Sequence, residues 1–116
     1  MKVYSPLILC ILCLLCASIA PAQSFNVTGR VSDTLNAREL HLSTITLIRA
    51  SDSILASFTR SKPDGSFTVT ADSAGKYIVM ISFPSFADYV DIVSLTAEKP
   101  SLDMGTIPMV SKSHLL

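Results

Sequence analysis

Phe25-Asn26-Val27-Thr28-Gly29-Arg30-Val31-Ser32 decides the fold class, because its apolar residues recur at every second position. Phe25, Val27, Gly29 and Val31 alternate with Asn26, Thr28, Arg30 and Ser32, the pattern of a strand with one face in a core and the other in water. The same period returns at Phe67, Val69 and Ala71 against Ser66, Thr68 and Thr70. Tyr77 to Phe83, YIVMISF, is instead apolar on both faces, which predicts a strand in the middle of a sandwich or beneath a second layer. That segment is the expected centre of the core. No stretch carries the 3.6-residue period of an amphipathic helix.

Outward from these segments, further strands are expected at His41 to Arg49, Ile54 to Arg60, Tyr89 to Leu95 and Leu102 to Met109. That makes about seven, at the regular spacing of an all-β sandwich. Lys62-Pro63-Asp64-Gly65 is expected to close a hairpin between its flanking strands, since Pro63 presets φ and Gly65 tolerates a positive one. Ala74-Gly75-Lys76 should play a similar part before the central strand. Pro84 should interrupt pairing, having no N–H to give a ladder, and Glu98-Lys99-Pro100 should start the last crossing.

Ahead of the strands stands a different kind of segment. Lys2, the unbroken apolar run Leu7 to Leu15 and the small-x-small site Ala20-Pro21-Ala22 read as a secretory signal peptide cleaved before Gln23. A membrane-spanning helix would need roughly 20 apolar residues, and this run breaks at Ser18 and Pro21. Cys10, Cys13 and Cys16 each follow a leucine inside the apolar run, which suits neither lipid attachment nor a C-x-x-C metal or redox site. The expected organisation is a signal peptide over 1–22, one sandwich domain over 23–110, and a tail or the start of a downstream region over 111–116. Such a chain is exported, to the periplasm or the periplasmic face of an outer membrane.

With the signal removed, eight basic residues face nine acidic ones, with no cysteine and no tryptophan. Neither thiol chemistry nor a basic patch for nucleic acid or anionic lipid is expected. His41 and His114 are the only histidines, one at a predicted strand start and one in the tail, and no ligand partner lies near either in sequence. Asp33, Asp52, Asp64 and Asp72 fall at predicted turns, where a carboxylate bonds neighbouring amides; no D-x-D-x-D-G calcium loop is present. No G-x-S-x-G elbow surrounds any serine. Asn26-Val27-Thr28 is a glycosylation sequon, meaningful only in a eukaryotic secretory pathway. Neither cofactor, metal nor catalytic residue is expected. Phe25, Phe58, Phe67, Tyr77 and Phe83 fall mostly on expected core faces, which leaves Phe86 and Tyr89, beside Pro84, as candidate partner contacts. The competing reading, and the favoured one, makes these two an aromatic corner that plugs the sandwich end.

Gly29-Arg30-Val31-Ser32-Asp33, Ile45-Thr46-Leu47-Ile48-Arg49-Ala50-Ser51-Asp52-Ser53, Asp64-Gly65-Ser66-Phe67, Ala74-Gly75-Lys76-Tyr77 and Ile81-Ser82-Phe83 together resemble the carboxypeptidase regulatory-like domain. The resemblance runs over about residues 25 to 109, with Ser85-Phe86 standing where that family usually has Gly-Tyr. It implies a prealbumin-like (transthyretin-like) fold, a seven-stranded Greek-key sandwich, of the kind found at the N-terminus of TonB-dependent receptors and outer-membrane β-barrel proteins of Bacteroidetes. The implied role is that of a non-catalytic accessory or interaction domain. Its partners would be a barrel or plug region or a periplasmic protein, with the membrane reached only through a barrel. The alternative is a free-standing periplasmic or surface module for a carbohydrate or protein ligand. One enzyme on this fold, the hydrolase of 5-hydroxyisourate, would require paired histidines, an arginine and a Tyr-Arg-Gly-Ser terminus, and this sequence offers Ser113-His114-Leu115-Leu116.

Overall fold

The computed structural model describes residues 24–115, so the signal-peptide segment lies outside the described residues. The strands are β1 (Phe25–Asp33), β2 (Arg38–Glu39), β3 (Thr44–Arg49), β4 (Leu55–Arg60), β5 (Ser66–Ala71), β6 (Gly75–Ser82), β7 (Tyr89–Leu95) and β8 (Ser101–Pro108), followed by a short 3-10 helix over Lys112–Leu115. They form two four-stranded sheets. In the first, β1 pairs antiparallel with β5 and parallel with β8, and its last residues pair with β2. In the second the order is β4-β3-β6-β7, antiparallel throughout.

Alternation fixes which side of each sheet meets the other. Val27 pairs with Val69 and Gly29 with Phe67, so the apolar halves of β1 and β5 share one face. Ile45 opposes Ile81 and Leu47 opposes Val79, while Tyr77 opposes Val93. These inward residues are the core, and Val27, Ile45, Leu47, Val79 and Ile81 have no measurable exposure. Because pairing has a period of two, a one-residue slip of β3 would turn Ile45 and Leu47 out into solvent. β6 lies between β3 and β7 at the centre of the second sheet, the position its sequence predicts.

Two strand-level expectations need correction. The segment from His41 does not begin β3: His41 and Leu42 form a turn in which Leu42 has φ of 66°. Its polar groups are held by buried serines, the Ser43 N–H donating to Ser61 Oγ (2.8 Å) and Ser61 Oγ–H donating to the Leu40 carbonyl (2.6 Å). Nor does Lys62-Pro63-Asp64-Gly65 close a hairpin within one sheet. The tight turn forms, with the Gly65 N–H donating to the Lys62 carbonyl at 2.8 Å and Asp64 Oδ1 accepting from the Ser66 N–H at 3.0 Å. Yet β4 stays with β3 and β5 crosses to β1, because the Gly65 carbonyl already accepts from the Val31 N–H at 2.8 Å. Gly65 has φ of 83°, and a Cβ there would lie 2.5 Å from the Val31 carbonyl oxygen, so only glycine serves this crossing.

Candidate interaction face

Since the second sheet turns Ile45, Leu47, Tyr77, Val79 and Ile81 inward, the residues between them point outward. The register assembles them into two rows across the sheet. One runs Leu55, Ile48, Ile78, Ile92, with Leu55 reached through a bulge in β4; the other runs Phe58, Thr46, Met80, Val90. Seven of these eight side chains are apolar. Phe58 is 65% exposed, Ile92 64%, Val90 56% and Leu55 54%, while Ile48, Ile78 and Met80 are half-buried. Scattered exposed apolar residues are ordinary, but a contiguous set on one flat face marks a contact surface. Taking each of the four exposed side chains out of water would stabilise a contact by about 1–2 kcal/mol, part of the value for full burial.

The edge of this sheet at β7 is guarded, in contrast to its face. Asp91 has the inward parity of Val93 and Leu95 but sits on the outermost strand, and its Oδ1 accepts from the Ile92 N–H at 2.8 Å. A carboxylate over an edge amide discourages addition of another strand. Across the sheet, Ser57 Oγ donates to the Thr70 carbonyl, linking β4 to β5 where the two sheets meet. The apolar surface on offer is therefore the face, not a strand edge.

The residues singled out from sequence lie elsewhere. Phe86 is 7% exposed and packs edge-to-face on Phe83 with ring centroids 5.5 Å apart, so it lies in the core rather than on the surface. Tyr89 shares the inward parity of Ile81 and is half-buried against the core. Burial first, then the nearby Asp91 charge, raises the Tyr89 hydroxyl above its ordinary pKa. Phe58, expected on a core face, is instead among the most exposed large side chains, because pairing with Thr46 gives it the outward parity. The sequence signal for the face was available: Val90 and Ile92 stand out of phase with Val93 and Leu95, as Phe58 does with Ser57 and Thr59.

Three of the turn aspartates do bond local amides and hydroxyls. Asp33 accepts from the Asn36 side-chain amide (2.8 Å), Asp52 from the Ile54 N–H (3.1 Å) and Arg49 (2.8 Å), and Asp64 from the Ser66 hydroxyl (2.6 Å). Each carboxyl is held below its ordinary pKa, foremost by the Asn36 amide, the Ile54 N–H and the Ser66 hydroxyl respectively. His41 lies in the turn before β3 and His114 in the terminal 3-10 helix. Among the described residues no three metal-ligating side chains cluster. An open cleft of about 620 Å³ lies between the Arg49–Asp52 turn and Ser73–Tyr77, where Arg49 is paired with Asp52 and the Tyr77 hydroxyl donates to the Ser73 carbonyl at 2.7 Å.

No protein-family model matches this chain, and no curated protein matches it by sequence. Solved structures do match its fold. The chain is similar to the pilus 2b backbone protein of group B streptococcus (TM-score 0.58, 15% identity, 78% of this chain and 42% of that one). It is also similar to the 5-hydroxyisourate hydrolase of Klebsiella pneumoniae (TM-score 0.54, 11% identity, 72% of this chain and 89% of that one). The sandwich is prealbumin-like. A prealbumin-like sandwich also matches the major pilin subunit of Bacillus cereus (TM-score 0.55, 9% identity, 75% of this chain and 30% of that one). The chain thus spans less than half of either pilus protein. At these identities the likeness is one of fold, and function has to be argued from the prealbumin-like domain's own surface.

Proposed function

We propose that this chain is an exported, non-catalytic interaction module, the N-terminal accessory domain of an outer-membrane receptor or barrel protein, and that the outer face of β4-β3-β6-β7 is its contact surface. The observation that carries this reading is the double apolar row centred on Ile48, Ile78 and Met80 and flanked by Phe58, Val90 and Ile92. A module that stayed free in an aqueous compartment would gain nothing from holding these side chains in water. A folded partner supplies the missing layer, as each sheet of the sandwich already does for the other. Aliphatic side chains with one phenylalanine and one methionine suit a protein surface, whose buried centre is apolar and short of charge. The guarded β7 edge favours docking on the face over strand addition.

A photo-reactive amino acid placed at position 92, and separately at Thr68 on the outer face of the first sheet, tests this in intact cells. Position 92 is expected to give protein adducts and position 68 to give none. Equal yields from the two positions, or none from 92, would remove the contact-face reading. Fractionation with N-terminal sequencing of the product tests the export half, which expects a chain beginning at Gln23.

A further inference from the structure

We infer that the occupant of this face is a second copy of the same chain, docked face to face about a twofold axis that lies in the face along the strands; this rests on the reading of the face as the contact surface. Three observations lead there. The face is large enough to be self-sufficient only in a modest way: four strands about 4.8 Å apart and six residues at about 3.3 Å each span close to 400 Å² in projection. Two copies together therefore bury about 1,000 Å² once side-chain relief is included, the lower bound for a specific interface and the range of reversible ones.

The apolar rows are also complementary under that axis. It carries β4 of one copy over β7 of the other, so Phe58 and Leu55 meet the second copy's Val90 and Ile92, while the half-buried middle strands meet each other. The four most exposed side chains of the face are all covered by one operation. Strand directions of the two copies stay nearly aligned, as stacked sheets require.

Charge decides between this axis and the others. Arg60 ends β4, and Asp88 immediately precedes β7; together with Thr44 and Ser82 they rim the same end of the face. Both are exposed, and the ion pair found among the described residues, Arg49 with Asp52, involves neither. Rotation about the strand axis keeps ends together and exchanges β4 with β7, which sets Arg60 of each copy against Asp88 of the other. An axis across the strands would instead lay β4 over β4 and β7 over β7 with their ends reversed, which carries Arg60 and Asp88 to opposite ends of the contact and leaves the pair unmade. Lys112 lines the same groove from the 3-10 helix and belongs to no strand of the face.

The test is sedimentation velocity on the full chain, expressed from Met1 and purified as the cell delivers it, from about 1 to 200 μM, a range suited to a small reversible interface. The expected result is a monomer–dimer equilibrium that Ile92→Lys abolishes. Arg60→Asp alone and Asp88→Arg alone should each weaken it about tenfold, an exposed pair being worth a factor of a few and the twofold placing two in the contact. The double swap Arg60→Asp with Asp88→Arg should restore it. A dimer indifferent to Ile92→Lys, or a swap that fails to restore, would overturn the proposal. So would a monomer at every concentration; a cellular adduct from position 92 would then leave the contact-face reading standing with a different occupant, and no adduct would remove both. Should a variant fail to fold, the photo-reactive residue at 92 in the purified dimer must mark the second copy's Leu55–Arg60, and a mark elsewhere would equally overturn the arrangement.

Discussion

The two outward faces of this sandwich are built on the same strand pleat, yet one is polar and the other apolar. On the first sheet, the outward rows read Asn26, Thr28 and Arg30 on β1, Ser66, Thr68 and Thr70 on β5, and Ser101, Asp103 and Thr106 on β8. On the second sheet, the corresponding rows carry Ile48, Ile78, Met80, Val90, Ile92 and Phe58. The inward faces, apolar in both, account for folding. The outward faces differ because only one of them is finished by water. A sandwich needs one apolar face per sheet, so a second apolar face on one sheet is surplus to the fold and points to a partner.

The sharpest way to break this comparison is to exchange inside for outside along one strand. Leu47→Ala, inward on β3, is expected to cost about 2–5 kcal/mol through lost contacts and the cavity left behind, whereas Thr46→Ala beside it should stay within about 0.5 kcal/mol. Urea denaturation measures both, and equal losses would mean that the inward and outward assignments are wrong. Next in size is the crossing between the sheets. Gly65→Ala must adopt a positive φ and also push on the Val31 carbonyl 2.5 Å away, so a loss of about 1–3 kcal/mol is expected; a neutral result would show that the crossing is free to relax.

Smaller in stability but decisive for function is Ile92→Lys against Thr68→Lys. Both should leave the unfolding free energy from urea denaturation within about 0.5 kcal/mol of the parent, since both side chains are exposed. Only the former should abolish the contact. The smallest expected effect concerns the turns. Asp33, Asp52 and Asp64 have folded pKa values below the ordinary carboxylate range, so the folded state binds fewer protons than the unfolded one. Their contribution is fully present above the ordinary carboxylate pKa of about 3.9 and fades as pH falls below it. The urea midpoint should hold from pH 7 to 5 and then decline, and Asp64→Asn should shallow that decline slightly.

Period-two alternation made the sandwich legible, since it is a local property of β1 and β5, and β7 begins and ends at the residues its sequence predicts, Tyr89 and Leu95. What alternation does not carry is which sheet a strand joins. Lys62-Pro63-Asp64-Gly65 looks the same whether its strands pair or part, and the parting is decided by the distant Val31 amide. His41 was lost to a turn for a similar reason, the buried serines Ser43 and Ser61 lying far apart in sequence. The contact face was half visible. Tyr77 to Phe83 reads as apolar on both sides, which signals a second layer, but only the register of β3, β6 and β7 places Val90 and Ile92 beside Ile78 and Met80. Phe86 and Tyr89 drew attention because Pro84 interrupts the ladder nearby, and the break turned their rings inward rather than out.

Residues 24 to 116 contain no cysteine, so single cysteines can report directly on whether the second sheet's outer face is covered where the protein works. Ile92→Cys and Thr68→Cys would be labelled with a maleimide in intact cells permeable to it, and again after urea. The account predicts that position 92 is protected until urea is added while position 68 reacts at once in both conditions. Immediate labelling of both positions in cells would contradict it.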